Sequence, residues 1–308
     1  MAGDGEAAGR RRLAAVDVGS NTVHALVADA VQGRLKDVAH YVEMPELGAE
    51  VGRTGRIGET KAEEAIAALH SVLGRAREHG YEHLIAGATA AVRRAADGEW
   101  FLTQASAAIG VPVRLISEQR EAELSFRGVA SRHAARRGWL MVDMGGSSTE
   151  LVLAEGEEIR RWVSLELGSG SYAARFLSDP PRPGEREALR AAALPVVRRA
   201  IEADVQKLVM TGGTASNLPL VISPQRPPTM LDTEALLTAV ERLDREPAAA
   251  VARRTGVPEA RVRALRGGVE ILLLLLDFYG LDRVHVSHEG LRHGMLLAYL
   301  ERGEDWWR

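Results

Sequence analysis

One stretch of this chain occurs twice, and that repeat limits the fold more than any other feature. Asp17-Val-Gly-Ser-Asn-Thr-Val-His-Ala-Leu-Val lies without a gap over Asp143-Met-Gly-Gly-Ser-Ser-Thr-Glu-Leu-Val-Leu. In both copies an apolar strand delivers an Asp. A glycine follows, then small hydroxyl or amide residues, then a second strand. A repeat of this kind specifies two similar lobes, and facing glycine turns on them would form a cleft. The boundary is expected near residues 130–138. The chain therefore reads as a disordered tail over 1–12, an N-terminal lobe over 13–132 and a C-terminal lobe over 133–308. The last helix is free to pack back on the first lobe.

Strands and helices alternate along both halves, which places the chain in the α/β class. Leu13–Val18 and Thr22–Ala30 read as strands joined at Gly19, Ser20 and Asn21, a hairpin pattern. Another strand is expected over Lys36–Val42, and residues 45–58 read as loop. Helical spacing of Ala65, Leu69, Val72 and Leu73 predicts a helix over Thr60–Gly80. His83–Ala88 is a buried strand, Asp97–Gly110 a helix and Pro112–Ile116 a strand. Ser117 is the expected N-cap of a helix to Ala130.

The second half repeats the order. A charged stretch, Arg132–Gly138, precedes a strand at Trp139–Asp143, and further strands are expected at Val152–Ala154, Ile159–Leu167 and Val205–Thr211. The loop Ser178–Glu185 ends one helix and opens another that runs to about Ala203. Ser223–Met230 is a loop, followed by helices over 233–244, 247–255 and 258–279, a strand at Val284–Ser287 and a last helix at Leu291–Glu301.

The two repeated turns suit phosphate. Glycine lets backbone approach a ligand closely, and successive amide N–H groups form an anion-binding concavity. Ser20, Asn21 and Thr22 add short donors in the first turn, and Ser147, Ser148 and Thr149 do so in the second, beside Gly145 and Gly146. A third glycine pair, Gly212 and Gly213 before Thr214, follows a strand and opens a helix, where backbone N–H groups favour anions. Asp17, Asp143 and Glu150 supply hard oxygen ligands of the kind Mg²⁺ uses alongside water and phosphate. Asp143 ends one strand and Glu150 starts the next, so both can face one turn. Arg93 follows a buried strand, where it can fork onto phosphate oxygens or pair with an acid. Glu118, Glu121 and Glu123 by composition alone form a solvated helix face.

Composition excludes other classes. A net charge of −3 gives no general field for DNA or an anionic membrane. The chain has no cysteine, which removes disulfides, thiolate metal sites and Cys nucleophiles and agrees with a reducing cytoplasm. The nine histidines form no zinc signature in sequence. The most apolar segment, Ile271–Phe278, is far short of the ~20 residues that span a bilayer. The N-terminus lacks the features of a secretory leader.

The ordered segments VDVGSNTVHALV (16–27), ATAAVR (88–93), SEQREAELSFRGV (117–129), MVDMGGSSTELVL (141–153), SLELGSGSYAARFL (164–177), TGGTAS (211–216) and VSHEGLRHGMLLAYL (286–300) together resemble the Ppx/GppA exopolyphosphatase and guanosine pentaphosphate phosphohydrolase family. The resemblance implies an actin-like ATPase fold, with two ribonuclease-H-like lobes around a phosphate-binding cleft. It implies Mg²⁺-dependent removal of terminal phosphate from inorganic polyphosphate, with pppGpp as the alternative substrate and Mn²⁺ as the alternative ion. Carried over by position, Glu121 matches the catalytic base. Asp143, Ser148 and Glu150 match the metal and phosphate turn, with Glu150 a second acid/base candidate. Asp17, Gly19, Ser20 and Asn21 match the first phosphate loop, Arg93 a phosphate-binding arginine, and Gly212, Gly213 and Thr214 the third loop. A cytoplasmic homodimer that binds neither nucleic acid nor membrane is the expected form.

The chain departs from the family pattern at several points. Glu118 replaces a glycine and Arg120 an acid around the base, and a cation beside Glu121 would lower its carboxyl's pKa. Ser147 stands where a third glycine is usual, Ala90 where Ser is common, and His293 where Glu is common. The chain resembles the short form, without the helical C-terminal domains of longer members. The altered base segment keeps a second reading open, a polyphosphate or nucleotide sensor that has lost catalysis. An ATP-dependent kinase of the same fold is a third, for which no acceptor-site pattern is visible.

Overall fold

Six consecutive buried residues, Leu13–Val18, put β1 (Arg11–Val18) at the centre of its sheet. A strand covered on both faces reads as one apolar run. In the computed structural model, which describes residues 9–308, β1 pairs antiparallel with β2 (Val23–Val31), and β2 pairs with β3 (Arg34–Glu43). After α1 (Leu47–Thr54) and α2 (Glu59–Arg77), β4 (His83–Ala88) joins the other side of β1 in parallel. Then come α3 (Ala90–Arg94), α4 (Gly98–Ile109), β5 (Val113–Leu115), parallel to β4, and α5 (Glu118–His133). The sheet order is β3-β2-β1-β4-β5.

The second sheet repeats that plan. β6 (Ala135–Met144), β7 (Thr149–Gly156) and β8 (Glu158–Leu165) form an antiparallel meander, followed by α6 (Ser169–Phe176) and α7 (Glu185–Val197). β9 (Lys207–Thr211) lies parallel to β6. The chain continues through α8 (Gly212–Ile222), β10 (Met230–Asp232), α9 (Thr233–Asp244), α10 (Ala248–Thr255) and α11 (Glu259–Tyr279). β11 (Arg283–Val286) pairs parallel with β9, and α12 (Leu291–Arg302) follows. The order is β10-β11-β9-β6-β7-β8. Strands β1 to β5 thus correspond in order and direction to β6, β7, β8, β9 and β11, with β10 added at the edge. This is the duplicated ribonuclease-H-like plan of the actin-like ATPase class.

Contacts group the chain into two units: everything up to Ser131 together with Leu291–Arg308, and Arg132–Gly290. The last helix is thus grouped with the first unit. Its Met295, Leu296, Ala298 and Tyr299 pack on Leu13, Ala15, Leu26 and Ala28, one face of the first sheet. The opposite face, through Val16, Val18, Val23 and Ala25, packs on α2 and α4. In the second unit α11 is buried nearly all round, and the run at 271–276 lies inside it. No helix among the described residues is long and apolar enough to cross a membrane.

Several details differ from the sequence expectation. α7 ends at Val197 rather than near Ala203, and α3 was not expected. Arg11 and Arg12, placed in the tail, are part of β1, because Arg12 stands in register with Asp29 and grips its carboxylate at 2.7 and 3.0 Å. The remainder of that tail, 1–8, lies outside the described residues. The presumed loop 45–58 contains α1, whose Leu47 and Val51 are buried four residues apart; two glycines in eight residues hide its propensity. β6 extends back through Arg136 and Arg137, whose side chains face solvent while Ala135 still pairs with Gly156. Met230, taken as the last residue of a loop, opens the edge strand β10, Met230–Asp232.

Asp97 closes the α1–α2 connection. Its carboxylate accepts the amides of Ile57 at 2.8 Å and Gly58 at 3.0 Å. Burial alone would raise its pKa, but the two amides and Arg56 outweigh burial and hold it below the ordinary carboxylate value. A carboxyl with a depressed folded-state pKa contributes stability above its unfolded pKa, near 3.9, and loses it as pH falls through the folded value. Asp97→Ala should therefore destabilise the chain by about 1–3 kcal/mol at pH 7. In urea titrations the gap to the unaltered protein should close below pH ~3.9.

Candidate active site

Each repeated turn is closed by the same hydrogen bond. Gly19 N–H donates to the Thr22 carbonyl at 2.8 Å, and Gly145 N–H donates to the Ser148 carbonyl at 2.9 Å. A Cβ at Gly19 would come 3.3 Å from the Thr22 oxygen, and one at Gly145 would come 3.2 Å from the Ser148 oxygen. The helix after each third strand then clamps the turn. In the first unit the carbonyls of Ser20 and Asn21 accept from Gly48 N–H at 2.6 Å and Glu46 N–H at 3.1 Å, at the start of α1. In the second, Gly145 and Gly146 accept from Ser169 N–H at 3.0 Å and Ser171 N–H at 2.9 Å, in α6. Ser169 Oγ adds a bond to the Gly145 carbonyl. Gly168 allows this approach, since a Cβ there would lie 2.3 Å from the Gly146 carbonyl oxygen and from Ser147 Cα.

The aspartates preceding the turns differ in their partners. Asp17 stands opposite His24 on β2 and Gly87 on β4. It is buried, and Arg292 of α12 donates to its carboxylate at 2.5 Å. Burial pushes the Asp17 carboxyl upward, and the Arg292 charge and hydrogen bond oppose that. Asp143 stands opposite Glu150 on β7 and Thr211 on β9. Glu150 is buried and accepts a hydrogen bond from Ser164 Oγ at 2.9 Å.

The third glycine loop meets this second turn. Gly212 has φ +90°, and a Cβ there would lie 2.9 Å from Asp143 Oδ1 and 2.8 Å from the Met144 carbonyl oxygen. Both conformation and space therefore require glycine. Gly213 and Thr214 form the first turn of α8, where N–H groups point along the helix toward its start. Against Gly213 lies Arg261 of α11, close enough that a Cβ would come 2.2 Å from Nη1. Arg261 is only 7% exposed and makes no ion pair among the described residues. Burial pushes its pKa down.

Of the two partners left open for Arg93 in sequence, the structure shows the acid. Its Nη1 donates to Glu121 Oε2 at 3.1 Å and to the Ile116 carbonyl at 2.6 Å, and Nη2 lies 3.6 Å from Glu118 Oε1. Glu121 sits in the first turn of α5, capped by Ser117, whose Oγ accepts from Arg120 N–H. Arg120, the neighbouring residue, has its own hydrogen-bond partners. Its guanidinium bonds Glu123 at 3.1 Å and the Trp306 carbonyl at 2.5 Å.

Residues 17–22, 93 and 121 thus belong to the first unit, and 143–150 and 212–214 to the second. Sequence reasoning missed Gly168, Arg261 and Arg292. Gly168 and Arg292 lie in segments that carry the family resemblance, but neither has a local chemical signal. Arg261 resembles any basic residue on an Arg-rich helix until the fold buries it.

These segments place the chain by comparison as well. The model of the Ppx/GppA phosphatase family matches residues 26–303, and the chain belongs to that family. It is 25% identical over 295 residues to a guanosine-5'-triphosphate,3'-diphosphate pyrophosphatase of Vibrio vulnificus strain YJ016, covering 93% of this chain and 58% of the relative. The chain thus spans little more than half of that relative's length. The crystal structure of the Aquifex aeolicus Ppx/GppA family member superposes with a TM-score of 0.80 at 27% identity, covering 96% of this chain and 99% of the other. An exopolyphosphatase from Cytophaga hutchinsonii superposes at 0.84 with 24% identity, over 94% and 98% of the two chains, and shares the fold.

Gly168→Ala should displace the Gly146–Ser147 backbone, because its Cβ meets main chain rather than a flexible side chain. The expected result is a loss of about 1–3 kcal/mol of stability with secondary structure retained, read by thermal and urea melts followed by circular dichroism. Gly74→Ala, in α2 with ordinary helical φ and nothing within 4 Å of a Cβ, serves as the comparison.

Proposed function

We propose that this chain hydrolyses the terminal phosphoanhydride bond of inorganic polyphosphate. The observation that carries the reading is Arg261, a buried guanidinium with no carboxylate partner among the described residues, pressed on the glycine start of α8, whose Gly212 touches Asp143. A buried charge is costly unless paired, so this position calls for an anionic ligand. Arginine forks suit phosphate oxygens, and a helix start adds N–H donors.

Asp143 and Glu150 stand directly opposite across β6 and β7. Two carboxylates so placed repel each other, and a divalent ion between them offsets that repulsion. The pair fits Mg²⁺, which takes one or two carboxylates and completes its shell with water and phosphate oxygens. Asp143 and Glu150 would hold the ion, with Ser148 beside them. When bound, it neutralises charge that develops on the phosphoryl oxygens and the leaving group.

The remaining roles fall to this chain's own groups. The glycine turns at 19–22, 145–148 and 212–214 bind phosphate oxygens through main-chain N–H groups, and Arg261 neutralises them. Asp17, held by Arg292, fixes the backbone that enters the first turn. Glu121 takes the proton of the attacking water at its carboxylate. Arg93 orients that carboxylate through Nη1 and turns toward phosphate only by leaving it. Phosphoryl transfer depends mainly on position and charge stabilisation, so this set is sufficient. By family resemblance the working form is a cytoplasmic homodimer.

The name of the Vibrio relative favours a second substrate, the 5'-phosphate of pppGpp, handled by the same groups. Phosphate released from short and long polyphosphate, pppGpp and ATP, with and without Mg²⁺, separates the two. Tight binding with no release from any of them would overturn the hydrolase reading and leave a sensor.

Glu121→Gln should lower kcat by ~10²–10⁴-fold with little change in KM, as loss of a general base does. Unchanged turnover would remove Glu121 from the mechanism. Arg261→Met should raise KM for polyphosphate and leave the melting temperature unchanged or higher, since it removes an unpaired buried charge. A lower melting temperature with an unchanged KM would make Arg261 structural.

A further inference from the structure

The first unit carries a second cluster of ligating side chains, which sequence spacing concealed. Asp37 and His40 are three residues apart on β3, a separation that puts side chains on opposite faces of a regular strand. Here the register between β2 and β3 shifts at Val27/Ala28, so Asp37 stands opposite Ala28 and His40 opposite Leu26. The extra residue is a β-bulge, and a bulge of one residue returns the next side chains to the same face. Leu26 and Ala28 both belong to the core beneath α12. Asp37 and His40 therefore lie on the α12 side of the sheet, at its edge. From α12, His293 comes down onto them.

The three groups already converge. His293 Nε2 lies 3.0 and 3.2 Å from the two Asp37 oxygens, and His40 Nε2 lies 2.8 Å from Asp37 Oδ2. One ligand atom from each residue falls within 4.8 Å of the others. His293 is almost fully buried, at 4% side-chain exposure, whereas Asp37 and His40 remain 36% and 45% exposed. The site thus has a fixed floor and a side open to solvent. Without an ion the Asp37 carboxylate draws the His293 ring proton to Nε2. His293 Nδ1 is buried with no hydrogen-bond partner among the described residues, so nothing there opposes the other tautomer, in which Nε2 offers its lone pair to an ion.

We propose that Asp37, His40 and His293 form a binding site for a divalent transition ion, with Zn²⁺ as the reference. Two imidazoles and one carboxylate suit Zn²⁺ and its neighbours, while Mg²⁺ prefers oxygen ligands alone. Ligands about 2.0–2.1 Å from Zn²⁺ in a tetrahedral arrangement stand roughly 3.3 Å apart. The Asp37–His40 and Asp37–His293 separations need to open by about half an ångström or less, and the two imidazole ligand atoms already lie within 4.8 Å of each other. Binding displaces the shared hydrogen bonds and releases any proton carried by the imidazoles. The ion would join edge strand β3 to the first turn of α12, whose neighbouring Arg292 holds Asp17. The proposal does not depend on the hydrolase reading.

The test uses the full chain, stripped with chelator and then titrated with Zn²⁺ or Co²⁺ in a hundredfold excess of Mg²⁺. The Mg²⁺ occupies oxygen-ligand sites. The expected result is uptake of one equivalent of Zn²⁺, visible Co²⁺ absorption from a nitrogen-ligated ion, and a melting temperature raised by several degrees when free Zn²⁺ far exceeds Kd. His40→Ala and Asp37→Asn, both at half-exposed positions, should bind at least tenfold more weakly while melting like the unaltered protein without metal. No uptake, equal uptake by both variants, or displacement of Zn²⁺ by Mg²⁺ would each overturn the assignment.

Discussion

Both repeated turns depend on one hydrogen bond made twice, from the glycine N–H after each strand-end aspartate to the carbonyl three residues on. That bond reverses the chain between β1 and β2 and again between β6 and β7. It also leaves turn carbonyls to be satisfied, and the helix after each third strand supplies the donors. A turn clamped on its carbonyl side is a rigid support for N–H groups that meet an anion. Rigidity matters because preorganised donors cost no reorganisation when charge develops.

The clamp on the second turn is itself held by close packing. Gly168 lets the start of α6 touch the turn, and Gly267 lets α6 lie on α11, since a Cβ at 267 would come 2.4 Å from the Ser169 carbonyl oxygen. α11 is anchored by buried charges that are fully paired. Glu270 accepts from Arg186 at 3.0 Å and Arg190 at 2.6 Å. Arg266 donates to Asp179 and to the carbonyls of Leu243 and Glu246. Against that background Arg261, on the same helix, differs in having no counter-ion among the described residues.

The two copies of the motif have diverged in how they neutralise their aspartate. In the first, Asp17 faces a histidine across the hairpin and is held by Arg292 from α12. In the second, Asp143 faces Glu150, so two acids stand in register across the hairpin. The shared backbone therefore carries two different electrostatic surroundings.

Pattern and spacing alone determined the α/β class, the duplication, the hairpins at Gly19 and Gly145, the helix–strand alternation and the glycine loop at 212–214. These features rest on local rules: strand alternation, glycine at tight turns and a capping serine at 117. The tertiary structure decided the rest. It joined Arg93 to Glu121, turned Arg120 away to Trp306, buried Arg261, sent Arg292 to Asp17 and recruited α12 to the first sheet. It also used one bulged residue in β3 to bring Asp37 and His40 beneath His293. Each of these contacts spans a long stretch of chain or a register shift. Neither leaves a local signature, because burial and side-chain direction are set by what packs on the other side.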